Sequence, residues 1–153
     1  MVEKAPDGSF RVKLAGAIDE DADLVGLFKQ LDGDVVFNMQ DVTRVNSMGV
    51  HRWIPLLAGY SARHRVEIDD ISYALVQNAN VVANLFGSAL VRSCMAPYFC
   101  GRCKENNTAR VAREDVLEND FAPPTRHCMR CDSPMEFDEL DGYFAFFKRL
   151  PRR

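Results

Sequence analysis

Along the first ninety residues the apolar positions switch repeatedly between a spacing of two and a spacing of three or four. Phe10, Val12 and Leu14 alternate with Arg11 and Lys13, the pattern of a strand with one buried face. Gly16 breaks that run. From Asp19 the period changes: Leu24, Leu27, Phe28 and Leu31 fall at i, i+3, i+4 and i+7. Acidic residues occupy the expected first turn, where the helix dipole favours them, and Asp32, Gly33 and Asp34 make a turn that stops the helix. Residues 35–39 (VVFNM) are almost continuously apolar, which predicts a strand covered on both faces. Val50, Trp53, Ile54, Leu57 and Tyr60 return to helical spacing as far as about Arg63, with Pro55 inside predicting a kink or a late start. Residues 71–76 (ISYALV) then predict a third strand. Val82, Leu85, Phe86 and Ala89 predict a third helix, with Asn78 or Asn80 as its cap.

Strand and helix thus alternate three times, which implies an α/β layer with helices packed on a mostly parallel or mixed sheet. Beyond Leu90 the texture changes. Residues 91–100 predict a strand that runs directly into a cysteine pair, a polar segment containing Pro123 and Pro124 follows, and the chain closes on a predicted hairpin. That hairpin comprises Glu136 and Phe137, a turn at Asp141 and Gly142, and an aromatic strand over residues 143–147. The expected organisation is an α/β domain over residues 1–95 and a small β-rich zinc ribbon over residues 96–153.

Composition fits this division. The chain has 153 residues, 47% of them hydrophobic and 27% charged, enough apolar material to bury a sizeable core. No apolar run approaches the ~20 residues of a membrane span, and the opening MVEKAPDGSF has no basic-then-apolar leader pattern, so the expected location is the cytoplasm. Residues 1–95 carry nine Lys/Arg and twelve Asp/Glu, and residues 96–153 carry ten of each. Neither part has the basic excess that phosphate backbones select, which argues against a nucleic-acid partner.

In a reducing compartment, paired Cys-x-x-Cys motifs point to metal or redox chemistry more than to disulfides. Cys100-Gly-Arg-Cys103 and Cys128-Met-Arg-Cys131 each place two thiolates on one tight turn, and two such turns complete the tetrahedron that zinc requires. A thioredoxin-type redox centre would need only one pair, at a helix start. Four thiolates leave no open coordination position, so the expected role of the single zinc is structural. His127 adjoins Cys128 and is an alternative ligand or a surface residue. Cys94 stands outside the pattern and is expected to be a buried small apolar residue.

The first 95 residues resemble the STAS domain, the module of bacterial anti-sigma-factor antagonists and of the cytoplasmic tails of sulfate transporters. The resemblance is carried by residues 12–18 (VKLAGAI), 35–42 (VVFNMQDV) and 45–50 (VNSMGV). In the family these correspond to a strand ending in glycine, a strand carrying an aspartate, and an Asp-Ser-Ser/Thr-Gly-Leu loop that opens a helix. The resemblance implies a STAS-like mixed sheet with packed helices, a regulatory role without catalysis, and a protein partner, a kinase of the anti-sigma-factor type among them. It also implies that Asn46, Ser47, Met48 and Gly49 form the docking loop, with Ser47 at the position that is phosphorylated in the family. Asn38 and Asn46 stand where the family has aspartates, and Met48 replaces the second hydroxyl residue. A serine at a helix start is also, on its own chemistry, an N-cap. The stripe of Val50, Trp53, Ile54 and Leu57 turns His51 and Arg52 outward, which adds them to the docking face. The alternative function is a nucleic-acid-binding adaptor that stacks bases on Tyr143, Phe144 and Phe146 of the ribbon.

Overall fold

The computed structural model describes residues 1–151. Among these, the strands form two sheets. The first is a mixed five-stranded sheet of β1 (Val2–Lys4), β2 (Phe10–Ile18), β3 (Val35–Val45), β4 (Val66–Asp69) and β5 (Leu90–Val91), arranged in chain order. β1 is antiparallel to β2, and the remaining neighbours are parallel. The parallel links run through α1 (Leu24–Lys29), α2 (Ser47–Ser61) and α3 (Tyr73–Val81). Because the strands add in one direction, right-handed crossovers place these three helices on one face of the sheet. Phe37 meets Phe28 and Trp53 there at ring-centroid distances of 5.8 and 5.7 Å, and the Trp53 indole N–H donates to the Leu85 carbonyl at 2.9 Å.

The alternate residues Arg11, Lys13, Val36, Asn38, Glu67 and Asp69 belong to the other face and remain exposed or half-buried. β3 is therefore not covered on both sides, as its apolar run predicts. Charges on this face pair with one another: Arg92 holds Asp69 at 2.6 Å and Glu67 at 2.9 Å. Gly16 does not end β2. It takes φ +86° within the strand, between register irregularities, and pairing continues to Ile18.

Local chemistry moves several boundaries. Asp23 caps α1, its side chain accepting the Gly26 N–H at 3.0 Å, so the acidic residues at 19–21 precede the helix and do not fill its first turn. α2 runs unbroken through Pro55; both Pro55 and His51, whose carbonyl loses its usual donor, lie on the exposed side. The strand predicted at 71–76 is instead the start of α3. Ser72 caps it through the Leu75 N–H at 3.4 Å, and the preceding residues 66–69 form β4. Asn78 and Asn80 sit inside that helix and do not cap it. The predicted helix around Val82 to Ala89 is a chain of turns with Asn84 at φ +65° and Gly87 at φ +53°, although Leu85, Phe86 and Ala89 are buried.

The second sheet is antiparallel, with β6 (Ser93–Cys100) between β7 (Glu105–Ala112) and β8 (Glu136–Phe137), and α4 (Arg113–Glu118) follows β7. The predicted terminal hairpin does not form. Only β8 pairs, and residues 143–147 turn into the short 3-10 helix Ala145–Arg149. A strand would expose every second side chain of that segment, whereas Tyr143, Phe144, Phe146 and Phe147 are all buried.

The boundary expected between residues 95 and 96 falls inside β6, which starts two residues after β5. Around this strand the two sheets are joined. Ile71 bridges Cys94, the Ser93 hydroxyl donates to Asp70 at 2.6 Å, and Arg110 of β7 donates to the same carboxylate at 2.7 Å. Tyr143 donates its hydroxyl to the Met95 carbonyl at 2.7 Å, and the Asn80 amide reaches the Tyr143 carbonyl at 2.9 Å. Among the described residues most of the buried apolar side chains form one cluster from Phe10 to Phe147, which draws on both sheets.

Candidate metal centre and the helix corner

β6 delivers Cys100 from the centre of its sheet, and the turn into β7 returns Cys103 beside it. Cys128 and Cys131 occupy a second turn just ahead of β8. The two turns share one construction. In the first, the Lys104 N–H donates to the Cys100 carbonyl at 2.8 Å and the Cys103 N–H to the Cys100 sulfur at 3.3 Å. In the second, the Asp132 N–H donates to the Cys128 carbonyl at 2.8 Å and the Arg130 N–H to the Cys128 sulfur at 3.4 Å. Lys104 and Asp132 both take left-handed backbone, at φ +58° and +60°, a conformation that closes each loop just past its second cysteine. Glu105 and Arg130 form an ion pair from one loop to the other.

This construction brings the four sulfurs within 4.8 Å of one another, with Cys100 and Cys131 at 3.5 Å and Cys103 and Cys128 at 4.0 Å. Zn–S bonds of about 2.3 Å in a tetrahedron require sulfur–sulfur edges of about 3.8 Å, so the arrangement fits a four-coordinate thiolate site. The separations are well beyond the about 2.05 Å of a disulfide, and all five cysteines carry free thiols. Sulfurs packed this closely resist simultaneous ionisation. Hydrogen bonds from the Ser133 hydroxyl and N–H lower the Cys131 thiol to about 6, while hydrogen bonds with the neighbouring thiols, Cys131 foremost, push Cys103 up to about 12. A divalent cation held by the four cysteines would remove that conflict by favouring the thiolate form of each.

His127 is exposed, pairs by backbone with Pro134, and does not belong to the cluster. Cys94 is also outside it: fully buried on β6, its thiol is pushed up by burial. Ser133 and the left-handed Lys104 and Asp132 are parts of the site that spacing alone does not reveal.

A second constellation lies at the start of α2. Asn46, not Ser47, is the cap: its side-chain oxygen accepts the Gly49 N–H at 2.8 Å, and its amide donates to Glu20 at 2.6 Å. Ser47 is the first helical residue and exposed, as are Met48, His51 and Arg52. Arg52 donates to the Glu20 carbonyl at 2.6 Å, and Arg44 reaches Asp19 at 3.1 Å. Gly49 is buried against the end of β2, where an added Cβ would meet the Ile18 carbonyl oxygen at 1.9 Å. The corner therefore has acidic neighbours, Asp19 and Glu20, supplied by a different segment. Backbone donation from Asp21 lowers Asp19, and the Asn46 amide lowers Glu20. Asn38 lies elsewhere, donating to Asp70 at 3.2 Å.

Comparison with known proteins finds no matching family model, no matching curated protein and no matching solved structure. Four cysteines placed to hold a metal ion, and a mixed sheet with helices on one face, are what the chain itself displays. No helix among the described residues is long and apolar enough to cross a membrane.

Proposed function

We propose that this chain is a non-enzymatic, cytoplasmic regulatory module that binds a protein partner, in the manner of the STAS domains of anti-sigma-factor antagonists, and that its second sheet is built on structural zinc. The observation that carries the reading is the corner at residues 46–52. Its backbone is fixed by the Asn46 cap and the close approach of Gly49 to β2, while Ser47, Met48, His51 and Arg52 face outward. A rigid backbone presenting exposed side chains and the free donors of a helix start is suited to recognising a partner or accepting a phosphate. Zinc is favoured among metals because an all-thiolate tetrahedral donor set suits it, and four such ligands leave no position for water or substrate.

The nucleic-acid reading loses its stacking surface, since Tyr143, Phe144 and Phe146 retain only 4%, 1% and 1% of their exposure. The decisive experiment is affinity capture from native cells, repeated with Ser47→Asp, Ser47→Ala and Arg52→Trp. A partner retained by wild type and weakened by Ser47→Asp and Arg52→Trp supports the proposal. Equal capture by all correctly folded variants would move the interface away from this corner.

A further inference from the structure

Charge is distributed unevenly around α3. Residues 71–91 contain no charged side chain at all, and residues 131–147 contain five acidic residues and no basic one. The fold sets these two stretches side by side. Between α3 and the turn that follows β8 lies a cavity of about 290 Å³, lined by Gln77 and Asn80 on one side and Glu139, Leu140 and Asp141 on the other. Bare apolar side chains lie on it and beside it: Leu140 in its wall is 79% exposed, and on α3 Tyr73 and Val81, one turn to either side of Gln77, are 47% and 79% exposed. Tyr73 and Val81 lie about two turns apart on α3, so the bare surface follows the helix.

The acidic rim is held in place. Tyr73 donates its hydroxyl to Glu139 at 2.7 Å, the Leu140 N–H donates to the other oxygen at 3.0 Å, and Tyr73 stacks on the buried Tyr143. These bonds hold Glu139 below the ordinary carboxylate range, so it is an anion at neutral pH. Arg149 does not neutralise the rim; it faces a separate cavity, where it donates to the Ala79 carbonyl at 2.7 Å.

Lys148 lines an adjoining cavity beyond Leu140 and Asp141, with its ammonium 4.9 Å from the centre of the Phe121 ring. A groove whose own charged lining is anionic, with bare apolar side chains beside it, is complementary to one kind of occupant. We propose that the groove between α3 and residues 138–145 docks a segment of a partner protein in which Lys or Arg alternates with large apolar side chains. This is a different surface from the corner at residues 46–52 and stands whether or not that corner docks anything.

The test uses the full zinc-loaded chain as bait for a random dodecapeptide phage library, with the affinities of the selected peptides then measured by fluorescence anisotropy. The expected result is enrichment of peptides that interleave basic and apolar residues. Their binding should weaken about tenfold or more in Glu139→Gln/Asp141→Asn and in Leu140→Ser, fall with added salt, and survive Ser47→Asp. Leu140 and Asp141 are exposed, and Glu139→Gln keeps one of the two accepting oxygens at the surface, so unfolding temperatures should change little. Failure to enrich any peptide, enrichment without basic residues, or binding indifferent to these variants would overturn the proposal. So would a dimer in sedimentation that Leu140→Ser disperses, because the occupant would then be a second copy of the chain.

Discussion

Two glycines of α2 should respond oppositely to the same substitution. Gly59 has nothing within 4 Å of an added Cβ, so Gly59→Ala brings only the gain in helix propensity, about 0.5–1 kcal/mol. Gly49→Ala makes the same gain but places a methyl 1.9 Å from the Ile18 carbonyl oxygen, 2.4 Å from its carbon and 2.8 Å from the Asp19 nitrogen. All three are backbone atoms of β2 and its exit, so no side chain can swing aside. Relief requires the helix start to withdraw by more than 1 Å, on the order of the gap between 1.9 Å and ordinary contact. Withdrawal stretches the Asn46 N–H bond to Ile18, now 3.2 Å, and unseats the cap, each worth about 1 kcal/mol, in addition to about 1–3 kcal/mol of overpacking. After subtracting the propensity gain, Gly49→Ala should destabilise by about 2–4 kcal/mol. Urea unfolding followed by Trp53 fluorescence measures both variants, and in a chain of this size each kcal/mol moves the melting temperature by about 2–4 °C. A neutral or stabilising Gly49→Ala would refute the packing of α2 against β2. A destabilising Gly59→Ala would refute the open surface on its other side.

With structural zinc at the four cysteines as proposed, its removal by chelation or by Cys128→Ser should unfold the region around β6, β7 and β8, since such sites supply about 10–16 kcal/mol of apparent binding energy; metal content by mass spectrometry and amide exchange together check it. At Asp132, whose φ is +60°, a glycine should hold metal at least as well as wild type and a valine should hold it more weakly, by about 1–2 kcal/mol in competition with a chromogenic chelator. Asp19 and Glu20 both titrate below their ordinary values, so their contribution to the corner is fully present above the ordinary carboxylate range and is lost as pH falls through the lowered values. Amide resonances of Asp21 and Gly49 should therefore shift with midpoints below those of an unstructured peptide, and ordinary midpoints would contradict the bonds described.

The clustering of the four cysteines was legible because a Cys-x-x-Cys turn is a local device, closed in each loop by hydrogen bonds within five residues. β2 and α2 were legible for a related reason, each having a clear period and a single buried side, whereas the apolar run of β3 announced a strand but concealed its open face. Residues 66–91 were not, because ISYALV is apolar enough for either element and a single hydroxyl, Ser72, tips it into a helix. The aromatic run at 143–147 misleads in the opposite direction. Its strand-like composition is overruled by four rings that all find cover at once, with the Tyr143 hydroxyl bound to a carbonyl of β6. β7 has no apolar alternation to announce it, and its pairing with β6 is decided across the sheet. At the helix corner the cap could not be assigned from composition, since Asn46 and Ser47 are adjacent and both competent; the long-range contact with Glu20 distinguishes them.

The path of β6 sets a limit on how the chain can be divided. A fragment ending at residue 95, where the change of texture invites a cut, would stop three residues into this strand. It would keep Ser93 and Cys94 but lose Arg110 from Asp70 and the aromatic cover of α3. The complementary fragment would keep the four cysteines and lose the strand start that anchors them. Each half would carry an apolar surface shaped for the other, so the two should be recoverable only when synthesised together or mixed while unfolded.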